Sequence, residues 1–231
     1  PLISTKKSLE SVNFQGFFAY HRSERNAGGK NMRLICIGDS LTFGYGVHLS
    51  QRWTRLCAQE TGWELVNEGI NGDTTGGMLA RMQGGVLAEL REGGLGADRP
   101  YVLLMGGSND VFYSGSDAAA RGNMGAMIHQ LFSVGVLPMV GIPLPADAPH
   151  APRAWAVAVD FEAAERTMKE YCAWLKRYCT AFGVPYIDFC ADFLSPDGSI
   201  RSELLLDGLH PTPEGHCLMA RRLSAQLKRQ G

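Results

Sequence analysis

Short apolar runs recur along the chain, separated by segments of helical periodicity. The run RLICIG at 33–38 is followed by others at 64–68, 100–105, 136–142 and 184–189. None alternates strictly between apolar and polar positions, which is the pattern of strands covered on both faces. Between them, the stretch 117–132 carries Met124, Met127, Ile128 and Leu131, and Gly135 stands where a helix needs its C-terminal cap. The clearest helix is predicted over 160–182, with Phe161, Met168, Cys172, Leu175, Cys179 and Phe182 at three- and four-residue steps, then Gly183. The last helix opens on Thr212-Pro213-Glu214, a capping residue followed by a proline whose missing N–H does no harm there. Strands alternating with helices in this way predict a doubly wound, parallel α/β domain with right-handed crossovers. Ligands in such sheets sit beyond the carboxyl ends of the strands. The residues to inspect are therefore Asp39-Ser40, the stretch Gly69 to Gly72, the stretch Gly106 to Asp110, the segment from Pro143 onward, and the approach to Asp207.

Composition narrows the partners. The chain has 231 residues, enough for one large domain with a full core, and its 45% hydrophobic and 19% charged content is that of an ordinary soluble protein. Twenty-two basic side chains stand against twenty-three acidic ones, with no basic run longer than a pair, which argues against nucleic acid and anionic membrane surfaces. The apolar stretches are strand-sized, and the one at 134–144 is broken by Pro138 and Pro143, so no membrane-spanning helix and no integral membrane association is expected. The six cysteines, Cys36, Cys57, Cys172, Cys179, Cys190 and Cys217, form no C-x-x-C and no Cys/His ligand spacing. They read as reduced core thiols, and a cytoplasmic location follows as the expectation, with a signal peptide cleaved ahead of Pro1 as the alternative. The segment 1–31 is polar, ends near a Gly-Gly pair and lacks the apolar centre of a signal peptide. The regular pattern starts at Met32, which we take as the natural start; 1–31 reads as an expression-derived or disordered extension, and 32–231 as a single domain.

The strand ends also carry the candidate chemistry. Acyl transfer by serine needs a base for the hydroxyl proton, a group to orient that base, and donors for the developing oxyanion. Ser40 follows the first strand, Gly72 the second and Asn109 the third. Gly72 leaves a backbone N–H unobstructed, and Asn109 offers a carboxamide N–H. Among the histidines, His21 lies in the N-terminal extension, His129 and His216 fall inside predicted helices, and His48 and His150 lie in loops without a nearby sequence partner. His210 has Asp207 three residues earlier, in LLLDGLHPTPEGH. In one turn the Asp207 carboxylate can hold Nδ1–H and leave Nε2 facing Ser40, and Pro211 keeps the pair out of the following helix. Singly, G-D-S and D-x-x-H are unspecific; their order along the chain is the stronger signal.

Competing readings of nearby residues are blander. Ser108 gives G-x-S-x-D, and no G-x-S-x-G exists, so the α/β-hydrolase elbow is absent and Ser108 reads as structural. Asp39 and Asp110 form a carboxylate pair suggestive of glycosidase chemistry, but bonding of their own strand-end loops accounts for them better. Asp73-Thr74-Thr75 reads as the cap of the next helix.

These blocks resemble those of the GDSL/SGNH hydrolase family. GDSLT at 38–42 is similar to its first block, NEGINGDTTGGMLARM at 67–82 to its second, GGSND at 106–110 to its third and DGLHP at 207–211 to its last. The second block and IPLPADAP at 142–149 look most like the thioesterase I/lysophospholipase/arylesterase branch. The resemblance runs from Met32 to about Leu227. It implies a flavodoxin-like, three-layer α/β/α fold with a five-stranded parallel sheet. It further implies Ser40 as nucleophile, His210 as general acid/base, and Asp207 as its orienter. The oxyanion hole would comprise the Ser40 and Gly72 backbone N–H groups and the Asn109 side chain, with no metal or organic cofactor. The expected activity is a serine esterase or lipolytic acylhydrolase acting on a small-molecule ester or thioester through an acyl-enzyme. A carbohydrate O-acetylesterase of the same fold and a non-catalytic flavodoxin-like binding domain are the alternatives. Phe112 and Tyr113 in VFYSGS, and Leu144 and Trp155 in PLPADAPHAPRAW, are candidates to line the substrate pocket or to pack the loops.

Overall fold

In the computed structural model the described residues are 32–88, 100–136 and 138–228, and the expectation for 1–31 falls outside them. Five strands form one parallel sheet: β1 Arg33–Gly38, β2 Glu64–Gly69, β3 Tyr101–Met105, β4 Met139–Ile142 and β5 Tyr186–Asp188, in the order β2-β1-β3-β4-β5. All five fall within or beside the predicted runs. β4 and β5 start later than their apolar runs because the first residues of each run finish the preceding helix. Val136 N–H donates to the Leu131 carbonyl and Val184 N–H to the Cys179 carbonyl, and Pro138 has no N–H to give.

The helices are α1 Ser40–Phe43, α2 Trp53–Thr61, α3 Thr75–Gly84, α4 Ser108–Ser114, α5 Ala118–Ser133, α6 Phe161–Phe182 and α7 Pro213–Lys228. Side chains alternate across each strand, so β1 sends Ile35 and Ile37 into one core and Leu34 and Cys36 into the other. The first core is closed by Met78 and Met82 of α3, Met124 and Leu131 of α5, and Met168 and Leu175 of α6. The second is closed by Trp53 and Cys57 of α2 and by Met219, Leu223 and Leu227 of α7. Three layers result, helices on both faces of a sheet whose central strands β1, β3 and β4 are buried and whose edge strands β2 and β5 are partly exposed. Each buried Leu or Met contributes about 1.5–3 kcal/mol over its exposed state. α6 begins under the Asp160 side chain, which accepts the Ala163 N–H, and ends at Gly183 as expected. Phe182 departs from expectation: it is half-exposed and packs on Tyr178, outside the core stripe.

The register fixes the site. Gly38 pairs with Gly69 on one side and Met105 on the other, so β1, β2 and β3 end level. The chain winds outward through β2 and then, from β3, in the opposite direction, opening a crevice between the carboxyl ends of β1 and β3. Among the described residues no helix is long and apolar enough to cross a membrane.

Candidate active site

The Asp39 carboxylate caps α1 by accepting the Leu41 N–H at 2.9 Å, and Ser40 is thereby the first residue of the helix. Ser40 Oγ lies 2.9 Å from His210 Nε2. His210 Nδ1 lies 2.8 Å from Asp207 Oδ2. A carboxylate accepts only, so Nδ1–H donates to Asp207, and Nε2 is left to accept from the serine hydroxyl. The turn that presents this pair is closed on itself. Asp207 Oδ1 accepts the backbone N–H of Leu209 and of His210, and Leu206 N–H donates to the His210 carbonyl. Burial works to raise the Asp207 carboxyl, but the His210 side-chain and backbone bonds outweigh it and hold the group below its usual range.

The second strand ends in a turn closed by Asp73 N–H donating to the Ile70 carbonyl, with Gly72 at φ 76°, a conformation that disfavours any side chain. In the third block Asn109 Nδ2 donates to the Asp73 main-chain carbonyl at 2.8 Å. That bond occupies one of the two carboxamide hydrogens and leaves the other free to donate. Ser40, Gly72, Asn109 and His210 line a single cavity of about 270 Å³. The four candidate pocket residues line it too: Phe112 and Leu144 are buried in its wall, while Tyr113 and Trp155 are exposed at it.

The structure also bears on the other residues considered. Ser108, read as structural, also lines the cavity. His150, read as lacking a nearby sequence partner, has one. Its Nδ1 is 2.8 Å from Asp147 Oδ2, at the same three-residue spacing as the Asp207/His210 pair, but its side chain is 62% exposed and points into no bonded line with a serine. His48 likewise has a local partner in Ser50 Oγ. His216 is buried, accepts the Trp53 N–H and stands in the second core's helix. Asp110 takes both the N–H and the hydroxyl of Thr75, so it bonds the loops and does not pair with Asp39. Of Asp73-Thr74-Thr75, it is Thr74 that caps α3, by accepting the Gly77 N–H, whereas the Asp73 carboxylate turns to Arg81.

Sequence reading missed Tyr45. Its ring centroid lies 4.6 Å from that of His210, inclined at 45°, and it lines the cavity. The signal was a tyrosine between two glycines in FGYG, both at positive φ, which bends the chain back over the imidazole. Among the described residues no cluster of three or more His, Cys, Asp or Glu is placed to hold a metal ion. All six cysteines are free thiols, and all but Cys217 are buried.

A serine, an imidazole and a carboxylate in bonded line, with backbone and carboxamide donors around one cavity at a parallel sheet's carboxyl edge, make a hydrolase site of the acyl-transfer class. Residues 36–218 match the model of the GDSL-like lipase/acylhydrolase family, and the chain belongs to that family. It is 29% identical over 185 residues to Esterase TesA of Pseudomonas aeruginosa, covering 77% of this chain and 79% of that one. A lipase/acylhydrolase from Enterococcus faecalis shares the fold with a TM-score of 0.65 at 24% identity, over 86% of this chain and 96% of that one. So does a carbohydrate acetylesterase family member from Sinorhizobium meliloti, with a TM-score of 0.67 at 17% identity, over 86% and 98% of the two chains.

Proposed function

We propose that this protein is a serine esterase that cleaves carboxylic esters and thioesters through an acyl-enzyme on Ser40. The observation that carries the reading is the bonded line from Asp207 through His210 to Ser40 Oγ, beside Gly72 and Asn109 in one cavity. In the first step Nε2 of His210 takes the hydroxyl proton as Oγ bonds to the substrate carbonyl carbon. The oxyanion receives hydrogen bonds from the Ser40 and Gly72 N–H groups and from the free Asn109 N–H. His210 then gives the proton to the leaving alcohol or thiol. Water repeats the sequence: His210 takes its proton, the hydroxyl attacks the acyl carbon, and the proton returns to Ser40. Asp207 stays ionised throughout and stabilises the imidazolium.

At about 270 Å³ the cavity lies near the small end of ligand sites, which favours a short to medium acyl group against Phe112 and Leu144. A second reading, a carbohydrate O-acetylesterase, is favoured by the rings of Tyr45, Tyr113 and Trp155. They are 47%, 66% and 45% exposed at the cavity and offer flat faces to a sugar. A fluorophosphonate should label the folded wild type and not Ser40→Ala, which should also lose turnover. Asn109→Ala should keep labelling but lose about 10²–10³ in kcat. Turnover surviving in Ser40→Ala would sink the proposal. Rates over p-nitrophenyl and CoA esters of graded length, with an acetylated sugar beside them, separate the two substrate readings: turnover of the sugar alone would select the second.

A further inference from the structure

A single guanidinium ties together the three strand-end loops around the cavity. Arg81 lies on α3, with its side chain only 24% exposed. Its Nε donates to Asp73 Oδ2 at 2.8 Å, and its Nη2 donates to the main-chain carbonyl of Gly38 at 2.9 Å. Gly38 is the last residue of β1, two before Ser40. Asp73 follows Gly72, and its own main-chain carbonyl is the acceptor for the Asn109 carboxamide at 2.8 Å. The contacts Gly38–Arg81–Asp73–Asn109 thus run across the first, second and third loops without a break.

The chemistry of the fork matters here. An exposed Arg–Asp pair holds little in place, but the Asp73 side chain is 11% exposed, and the rigid guanidinium bonds a carboxylate and a carbonyl in two directions at once. A lysine ammonium lacks that geometry. The bond at the far end is the one that sets the plane of the Asn109 carboxamide and so aims its second N–H. The sequence also keeps clear the space that the carboxylate needs. Gly77 sits inside α3, where glycine is unfavourable, and a Cβ there would lie 1.9 Å from Asp73 Oδ1. Any side chain at 77 would turn the carboxylate off Arg81.

We propose that Arg81 is a positioning residue for the oxyanion hole. Through the Asp73 carboxylate it sets the carbonyl that orients Asn109, and through Gly38 it sets the start of the Ser40 loop. It touches no substrate. The inference rests on the esterase reading of this site and deepens it.

Two variants cut the link from opposite sides: Arg81→Met removes the fork, and Gly77→Ala displaces the carboxylate while supplying a better helix former. With p-nitrophenyl acetate each should lower kcat about ten- to a hundredfold, the scale of a misplaced catalytic group. KM should change less than about threefold, because the interaction lost is made in the transition state. In an Asn109→Ala background Gly77→Ala should cost less than about threefold, since groups acting as a unit are non-additive, while Arg81→Met keeps only the loss that comes through Gly38. Gly77→Ala should do this without a lower melting temperature. A third readout needs no catalysis: the Asn109 side-chain amide proton bonded to Asp73 should exchange with solvent faster in both variants, measured by NMR. Equal losses from Gly77→Ala in the two backgrounds, or unchanged exchange in both variants, would overturn the inference. Turnover by Ser40→Ala would defeat the esterase reading instead, and the exchange comparison would still decide whether Arg81 holds Asn109.

Discussion

His210 is 7% exposed although it faces an open cavity, and the Tyr45 ring is what covers it. In the proposed mechanism the imidazole becomes a cation when Nε2 accepts the Ser40 proton, and the tilted Tyr45 ring lies 4.6 Å from it, centroid to centroid. Such contacts are attractive by about 0.5–1 kcal/mol at exposed sites and about 2 when desolvated. The phenol hydroxyl takes no part in this, so the ring and the hydroxyl can be separated by substitution. Tyr45→Phe should keep kcat within about twofold, while Tyr45→Leu, which keeps bulk but not the π-system, should lose about three- to thirtyfold. Steady-state kinetics on a small ester, where the leaving group does not reach the ring, checks it. Equal rates for the Phe and Leu variants would reduce Tyr45 to a steric cover. The same residue shows where legibility ends. Ser40, Gly72 and Asn109 were readable because each follows a strand end, and the Asp207/His210 pair because its three-residue spacing has a chemical reason. Tyr45 has no such spacing, since it reaches His210 from 165 residues away in the chain, through backbone bends that only two positive-φ glycines reveal.

At the scale of elements, the turn 207–210 is held from outside as well as within. The loop after β4 docks on it: Asp147 N–H donates to the Gly208 carbonyl at 2.8 Å. Gly208 has φ 77°, and a Cβ there would lie 2.7 Å from the Asp147 carbonyl and 2.8 Å from the Ala151 nitrogen. Both are backbone atoms, which yield only if the loop moves. Gly208→Ala should therefore cost roughly 1–3 kcal/mol in stability from the left-handed backbone alone. It should also lower kcat more than Tm suggests, because the loop that moves carries Leu144 and Trp155. Thermal melts beside kcat test this, and a folded variant with wild-type turnover would show the docking to be idle. This contact was not readable beforehand. The loop's prolines marked a strand-end segment, but the pairing of Asp147 with Gly208 is a tertiary fact, whereas its pairing with His150 stood in the sequence as a D-x-x-H. The D-x-x-H spacing at 147–150, moreover, is the same as that at 207–210. What separates them is placement: the His210 side chain is 9% exposed and lies within hydrogen-bond distance of Ser40, whereas that of His150 is 62% exposed. The strands and long helices, in contrast, were legible because burial on two faces and on one stripe leaves a periodic trace. Their ends shifted where a backbone N–H was claimed by a preceding helix.

For the molecule as a whole, two buried titrating groups pull stability in opposite directions with pH. Burial pushes the Asp39 carboxyl up to about 7. The Leu41 N–H and the His210 charge work against the rise, and the Asp73 and Asp110 charges add to it. Among the described residues its second oxygen has no hydrogen-bond partner. Burial pushes His216 down to about 4, helped by the charges of Arg52 and His210. An unfolded aspartate releases its proton near 3.8, so above that pH the folded state alone holds one. Stability from Asp39 is therefore full below about 4 and lost as pH rises to about 7, by roughly 4 kcal/mol at 1.36 per unit. An unfolded histidine binds its proton near 6.5, which folded His216 refuses. Its contribution is full above about 6.5 and lost as pH falls to about 4, by roughly 3 kcal/mol. Asp207, held low, loses its contribution only in more acid solution than either. Between about pH 4 and 6.5 the two slopes nearly cancel, and each should appear when the other is removed. Asn at either position keeps an oxygen for the bond that Asp39 makes to Leu41 or His216 makes to Trp53. Urea unfolding across that window should find Asp39→Asn gaining stability with rising pH, His216→Asn losing it, and the wild type flatter than both. Parallel curves for the three proteins would mean that neither group titrates out of its ordinary range in the fold.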